Sequence, residues 1–231
     1  MNNLSLYLPH EVRTPFVSIL GYTSLILDGS VDFTKEELIE IIKDIHYSGK
    51  RLHKTMEKFL LFSYLTTLEN DFAEKKKFDD GFVEIDETII SGIIAKHFQG
   101  LDFTNELIYE IQPATIIIKN DLFNFILEEL VENASKFSSN NSEIKIISYI
   151  KNEYYILKIT NTGRGMTNAQ INCLGPCIQF EKQKHQQIGN GLGLAIIKKI
   201  MSIYKYRFSL DSVVNGETTI TVSIKIKLLG H

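Results

Sequence analysis

The period of the hydrophobic pattern changes once along this chain, near residue 75, and that change divides what the chain can fold into. Before it, apolar residues recur at spacings of three and four. Leu4, Leu8, Val12, Phe16 and Ile19 make one stripe; Leu38, Ile41, Ile45, Leu52, Met56 and Phe59 make a second. Such spacings put side chains on one face of an α-helix. Asp28-Gly29-Ser30 supplies a turn between them, and Thr34 with Glu37 three residues on reads as a capping box that opens the second helix. Residues 1–70 therefore read as an antiparallel helical hairpin. Two helices enclose little core, so two hairpins pairing into a four-helix bundle is the natural way to bury both stripes, and a homodimer is expected.

The polar run Glu74 to Lys77 marks a linker over 71–80, and a second domain is expected over 81–231. There the pattern mixes short β-rich runs with helical ones. Strands are predicted near Phe82–Ile85, Leu107–Ile111, Thr115–Ile118, Ile144–Ile150, Tyr154–Thr160, Arg207–Leu210 and Thr218–Lys227. Helices are predicted over Glu87–Gln99, Asp121–Phe137 and Leu192–Tyr204. The class is α+β, with the second domain a sandwich of one helical layer on a mixed sheet.

Composition excludes several functions. The chain has 231 residues, 44% hydrophobic and 23% charged, enough for a sizeable core and without a disorder signature. A net charge of -3 argues against a nucleic-acid surface. No run of about 18 consecutive apolar residues and no signal peptide is present, so a soluble, cytoplasmic chain without membrane contact is expected. Its start shortly before His10 reads as that of a piece cut from a longer protein, or of a protein that works with a separate subunit. Cys173 and Cys177, the only cysteines, fit a reducing compartment; a four-ligand zinc site would need more than these and nearby His185.

Three constellations carry chemistry. The first is Leu8-Pro-His-Glu-Val-Arg-Thr-Pro15. A histidine with a pKa of about 6.5 is mostly neutral at pH 7 and can act as a nucleophile if a carboxylate accepts its ring proton. Glu11 is adjacent to His10, and Thr14 lies one helical turn on, where its hydroxyl could hold a water. His10 falls away from the Leu8 and Val12 stripe, and Pro15 offers a kink that would aim it.

The second lies in the helix from Asp121. Ile126, Leu130, Ala134 and Phe137 form its core stripe, with Glu129, Asn133 and Lys136 beside it. An amide oxygen for Mg²⁺, a cation for phosphate and a carboxylate for metal-bound water suit a metal-bound polyphosphate. The third is Asn161-Thr-Gly-Arg-Gly165, followed by Gly189-Asn-Gly-Leu-Gly193-Leu-Ala195. Glycines let backbone amides approach phosphate oxygens, and the second cluster opens into a helix whose N-terminus favours anions.

The His10 segment resembles the phospho-acceptor box of sensor histidine kinases, and the later blocks resemble the asparagine box and the two glycine boxes of their ATP-binding domain. That fold is shared with gyrase and heat-shock chaperone ATPases. The resemblance covers nearly the whole chain. It implies His10 as the phosphorylated residue, Glu11 as its base, Thr14 as a residue of the reverse hydrolysis, Asn133 as the Mg²⁺ ligand and Lys136 as a phosphate contact. Asn161 would read the adenine amino group, and Gly163 and Gly165 would shape the pocket wall. Gly189, Gly191, Leu192 and Gly193 would hold a glycine-rich lid to the phosphates, with Phe180 as the lid phenylalanine.

Two positions depart from that pattern. The adenine-reading residue is usually Asp but here is Asn161, which implies weaker ATP binding. Glu129 replaces a frequent Asn and matches the water-activating Glu of gyrase-type ATPases, which implies a capacity for some ATP hydrolysis without transfer. The implied activity is an ATP- and Mg²⁺-dependent kinase that autophosphorylates His10 and passes the group to an aspartate of a response-regulator receiver domain, with a phosphatase activity toward that regulator as the implied reverse function. The alternative is a dimeric scaffold with a degenerate ATP site, or one that only removes the regulator's phosphate.

Overall fold

In a computed structural model, which describes residues 10–29, 31–70, 81–99, 104–139, 141–172 and 192–228, the change of period is a change of architecture. Helix α1 (His10–Asp28) runs through Pro15, and α2 (Lys35–Asn70) follows the turn. The capping box forms as expected. Thr34 N–H donates to Glu37 Oε2 at 2.8 Å, and Glu37 N–H donates back to Thr34 Oγ1 at 3.3 Å. These bonds hold the Glu37 carboxyl below its ordinary pKa, the Thr34 backbone donor contributing most. Tyr22 Oη donates to Asp44 Oδ2 at 2.9 Å between α1 and α2.

The two stripes are only partly covered. Leu38, Ile41, Ile45, Leu52 and Phe59 are half-buried, but Phe16 is 49% and Met56 54% exposed, and Val17, Leu20, Ile42 and Leu60 are exposed beside them. A single hairpin thus leaves apolar side chains in water, as two unassisted helices must.

Helices α1 and α2 as far as Tyr64 make one compact unit, while Leu65 and the last turns of α2 belong with the sheet to a second. Leu65 and Leu68 are buried there. Glu69 accepts from Lys199 Nζ at 2.6 Å and from Ser202 Oγ at 2.9 Å.

In the second unit the strands are β1 (Val83–Ile85), β2 (Glu106–Glu110), β3 (Ala114–Ile116), β4 (Glu143–Lys151), β5 (Tyr154–Thr162), β6 (Arg207–Ser212) and β7 (Glu217–Lys225). The helices are α3 (Glu87–His97), α4 (Asn120–Phe137), the short α5 (Asn168–Asn172) and α6 (Leu192–Tyr204). Five strands form a mixed sheet in the order β2-β4-β5-β7-β6, parallel between β2 and β4 and antiparallel elsewhere.

Strict alternation gives the sheet one buried face. Tyr155, Leu157, Ile159 and Asn161 of β5 lie beside Ile224, Val222, Ile220 and Thr218 of β7. Helix α4 packs on β5 and β4 through its apolar stripe, with Ile126 and Leu130 fully buried, and α3 packs on α4. Two features escaped the periodicity. Helix α5 forms within the loop after Gly165, and β1 pairs with β3 in a separate two-stranded sheet. The backbone bonds Ile117 N to Lys225 O and Lys227 N to Thr115 O, 2.9 and 2.8 Å, tie that small sheet to the end of β7.

Candidate functional site

Helix α4 sets out the polar residues by its own repeat. Glu129 and Asn133 are one turn apart, and the Asn133 side-chain amide donates to the Glu129 carbonyl at 2.7 Å. That bond fixes which end of the amide is which, so the oxygen is the end left for a ligand. Glu129 is buried at 5% exposure, Asn133 is half-buried and Lys136 is exposed. The three therefore grade from core to solvent along one face. Lys136 Nζ lies 5.6 Å from the centre of the Phe137 ring.

Asn161 sits on β5 on the buried face of the sheet, 6% exposed, opposite Ile144 on one side and Thr218 on the other. Thr218 is buried too, and its hydroxyl shares a 2.6 Å hydrogen bond with Ser212, whose oxygen accepts from Met166 N–H at 2.9 Å. Sequence reasoning missed Thr218; the signal available was strand register, which places it beside Asn161 although 57 positions separate them.

The glycines have specific reasons. A Cβ on Gly163 would overlap the Phe137 carbonyl oxygen, because the start of this loop lies against the end of α4, where Ser139 N–H donates to Thr162 O at 2.9 Å. Gly165 has φ +60 and lies against the Val213 carbonyl, so both its conformation and its clearance require glycine. A Cβ on Gly193 would meet the Glu129 carboxylate. All three contacts are with protein atoms, so close packing is reason enough for each glycine. The Arg164 guanidinium, also missed from sequence, stacks 4.3 Å from the Phe137 ring centre and clamps this loop to α4.

The structure thus brings Glu129, Asn133 and Gly193 together, and Gly163 with the end of α4. His10 and Glu11 are the first two residues of α1, and their side chains lie outside the described residues. Thr14 is exposed on α1, its carbonyl accepting from Ser18 Oγ at 3.2 Å. Leu192 is buried at the start of α6. Phe180, Gly189 and Gly191 lie outside the described residues, as do the linker 71–80, both cysteines and His185.

The architecture is a helical hairpin followed by a domain in which helices, one of them carrying Asn133, cover one face of a mixed sheet. Residues 1–68 match the His Kinase A (phospho-acceptor) domain. Residues 119–228 match the histidine kinase-, DNA gyrase B- and HSP90-like ATPases. The chain thus carries the two domains that make up the catalytic core of sensor histidine kinases.

Among its relatives, the signal transduction histidine-protein kinase ArlS of Staphylococcus epidermidis is 27% identical over 222 residues, covering 94% of this chain and 46% of ArlS. Sensor histidine kinase YvrG of Bacillus subtilis is 26% identical, covering 94% of this chain and 37% of YvrG. This chain spans about half the length, or less, of these curated relatives. The fold is that of the Acinetobacter baumannii histidine kinase AdeS, with a TM-score of 0.67 at 18% identity over 96% of this chain and all of that one. The mycobacterial sensor histidine kinase MprB aligns with a TM-score of 0.51 at 18% identity over 64% of this chain and 99% of its own. Among the described residues no helix is long and apolar enough to cross a membrane.

Proposed function

We propose that this chain is the catalytic core of an ATP-dependent protein-histidine kinase in a two-component system. The observation that carries the reading is the joining of a phospho-acceptor domain to a kinase-type ATPase domain whose central helix presents Asn133 with its amide nitrogen already held by Glu129. The domains are assigned as 1–70 for dimerisation and phosphotransfer, 71–80 as linker and 81–231 for ATP binding. The apolar side chains left exposed on α1 and α2, among them Val17 and Leu60, support a homodimeric four-helix bundle.

The neutral His10 imidazole attacks the γ-phosphorus of ATP in line. A nitrogen–phosphorus bond forms as the bond to the ADP oxygen breaks, and the proton on the other ring nitrogen passes to Glu11. Lys136 contributes positive charge at the phosphates, and Asn161 accepts a hydrogen bond from the adenine amino group. The hard amide oxygen of Asn133 fits Mg²⁺, whose chemistry when bound is to offset phosphate charge. Phosphohistidine then donates to an aspartate of a response-regulator receiver domain, and Thr14 orients water for the regulator's dephosphorylation. These steps place the chain in the cytoplasm, where ATP and the regulator are found.

Incubation with γ-labelled ATP tests this. Label that is lost in acid and kept in base, and that is absent from His10→Gln, is the expected result. No label would leave the dimeric scaffold, and free phosphate without label would leave an ATPase.

A further inference from the structure

Glu129 is an almost wholly buried acidic residue for which the phosphotransfer steps above have no use. Its side chain packs on the second residue of α6. The three atoms nearest to a Cβ built on Gly193 all belong to Glu129: Oε2, which it would overlap, then Cδ at 2.9 Å and Cγ at 3.5 Å. Gly193 is the second residue of the helix and its φ is not positive, so backbone conformation does not call for glycine. The carboxylate does.

The first turn of α6 also carries the N–H groups without intrahelical partners and the positive end of the helix dipole. A carboxylate at that place is favourable for the same reason that a phosphate is. We infer that Glu129 is a resident anion at the phosphate end of the nucleotide site, a positioning residue that seats the start of α6 through Gly193 and sets the charge against which the polyphosphate binds. This rests on the nucleotide reading above and deepens it. Like charges a few ångströms apart in a partly water-excluded site repel strongly, so the penalty grows with the number of phosphates and falls when a divalent cation lies between them.

Calorimetric binding of adenosine, ADP and ATP, each in EDTA and in Mg²⁺, to wild type and Glu129→Gln tests the charge. Glutamine keeps the shape and removes only the charge. Adenosine affinity should stay within about twofold, while ATP in EDTA should bind about tenfold more tightly and ADP should fall between, at about one decade per 1.4 kcal/mol of relieved repulsion. Mg²⁺ should narrow the gap. An equal change for all three ligands, or none for ATP, would overturn the inference.

Thermal unfolding of Gly193→Ala, Glu129→Ala and the double variant tests the contact separately. Gly193→Ala should lower the melting temperature in wild type and not in the Glu129→Ala background, where the added methyl enters vacated space. Equal losses in both backgrounds would overturn the contact. Should wild type bind none of the three ligands, the nucleotide reading fails and takes the charge role with it, and the thermal cycle still decides the contact.

Discussion

Asn133 is clamped to the backbone of its own helix: its side-chain amide donates to the carbonyl of Glu129, one turn earlier, at 2.7 Å. The bond holds the amide in one rotamer and leaves its oxygen as the atom outside that bond. An aspartate there has no hydrogen to donate and would turn one oxygen toward the Glu129 carbonyl.

Asn133→Asp should therefore lower the rate of His10 phosphorylation by at least about tenfold, the equivalent of roughly 1.4 kcal/mol, while changing folding stability by only about 1 kcal/mol. Label incorporation and thermal unfolding measure the two. An unchanged rate would show that another residue holds the metal.

Asn161 carries the second prediction. Its amide can accept from an adenine amino group or, turned over, donate to a guanine carbonyl, whereas a carboxylate only accepts. Replacing a neutral hydrogen bond by a charge-assisted one is a gain of about 1 kcal/mol, or roughly fivefold. Asn161→Asp should bind ATP about fivefold more tightly and discriminate more strongly against GTP, as read by competition binding. Greater selectivity in wild type would mean that other groups read the base.

Gly163 should tolerate no side chain. The nearest neighbours of a Cβ there are the Phe137 carbonyl and the Ser138 Cα, backbone atoms that cannot rotate aside. Gly163→Ala should lose roughly 1–3 kcal/mol, a fall of about 2–4 °C in melting temperature for each kcal/mol. Gly92→Ala on α3 is the matched control, because its Cβ would enter open space. That change should be neutral or slightly stabilising.

Tyr155 gives a pH signature. Its ring is fully buried, and its hydroxyl has no hydrogen-bond partner of proper geometry among the described residues. Burial pushes the phenol to about 12, against a small opposing pull from nearby Ser148. Because the folded value lies above the unfolded value of about 10, the contribution is intact below pH 10 and is lost as pH rises from there to about 12, by at most roughly 3 kcal/mol. Tyr155→Phe should flatten that alkaline loss and, by removing an unpaired buried hydroxyl, should leave stability at pH 7 unchanged or raised by about 1 kcal/mol. A steeper alkaline loss in the variant would contradict the assignment.

Local rules explain what the sequence determined by itself. Helical spacing located α1 and α2, the Thr34 and Glu37 pair marked where α2 begins, and alternation located β4, β5 and β7, because each depends on residues within a few positions of one another. The four blocks around His10, Asn133, Asn161 and Gly193 were legible for the same reason, being short runs of residue types with definite chemistry.

Tertiary structure decided the contacts between distant positions. Periodicity could not tell that Met56 would stay exposed while Leu65 and Leu68 joined the second unit, since a stripe shows which residues share a face and not what covers it. Strand register alone put Thr218 beside Asn161, and close approach of a loop to α4 alone made Gly163 obligatory. Glu129 and Gly193 are 64 positions apart, and each looked like a phosphate-site residue in its own right. Packing of α6 on α4 made them one contact, because a buried carboxylate needs room and only a residue without a Cβ leaves it.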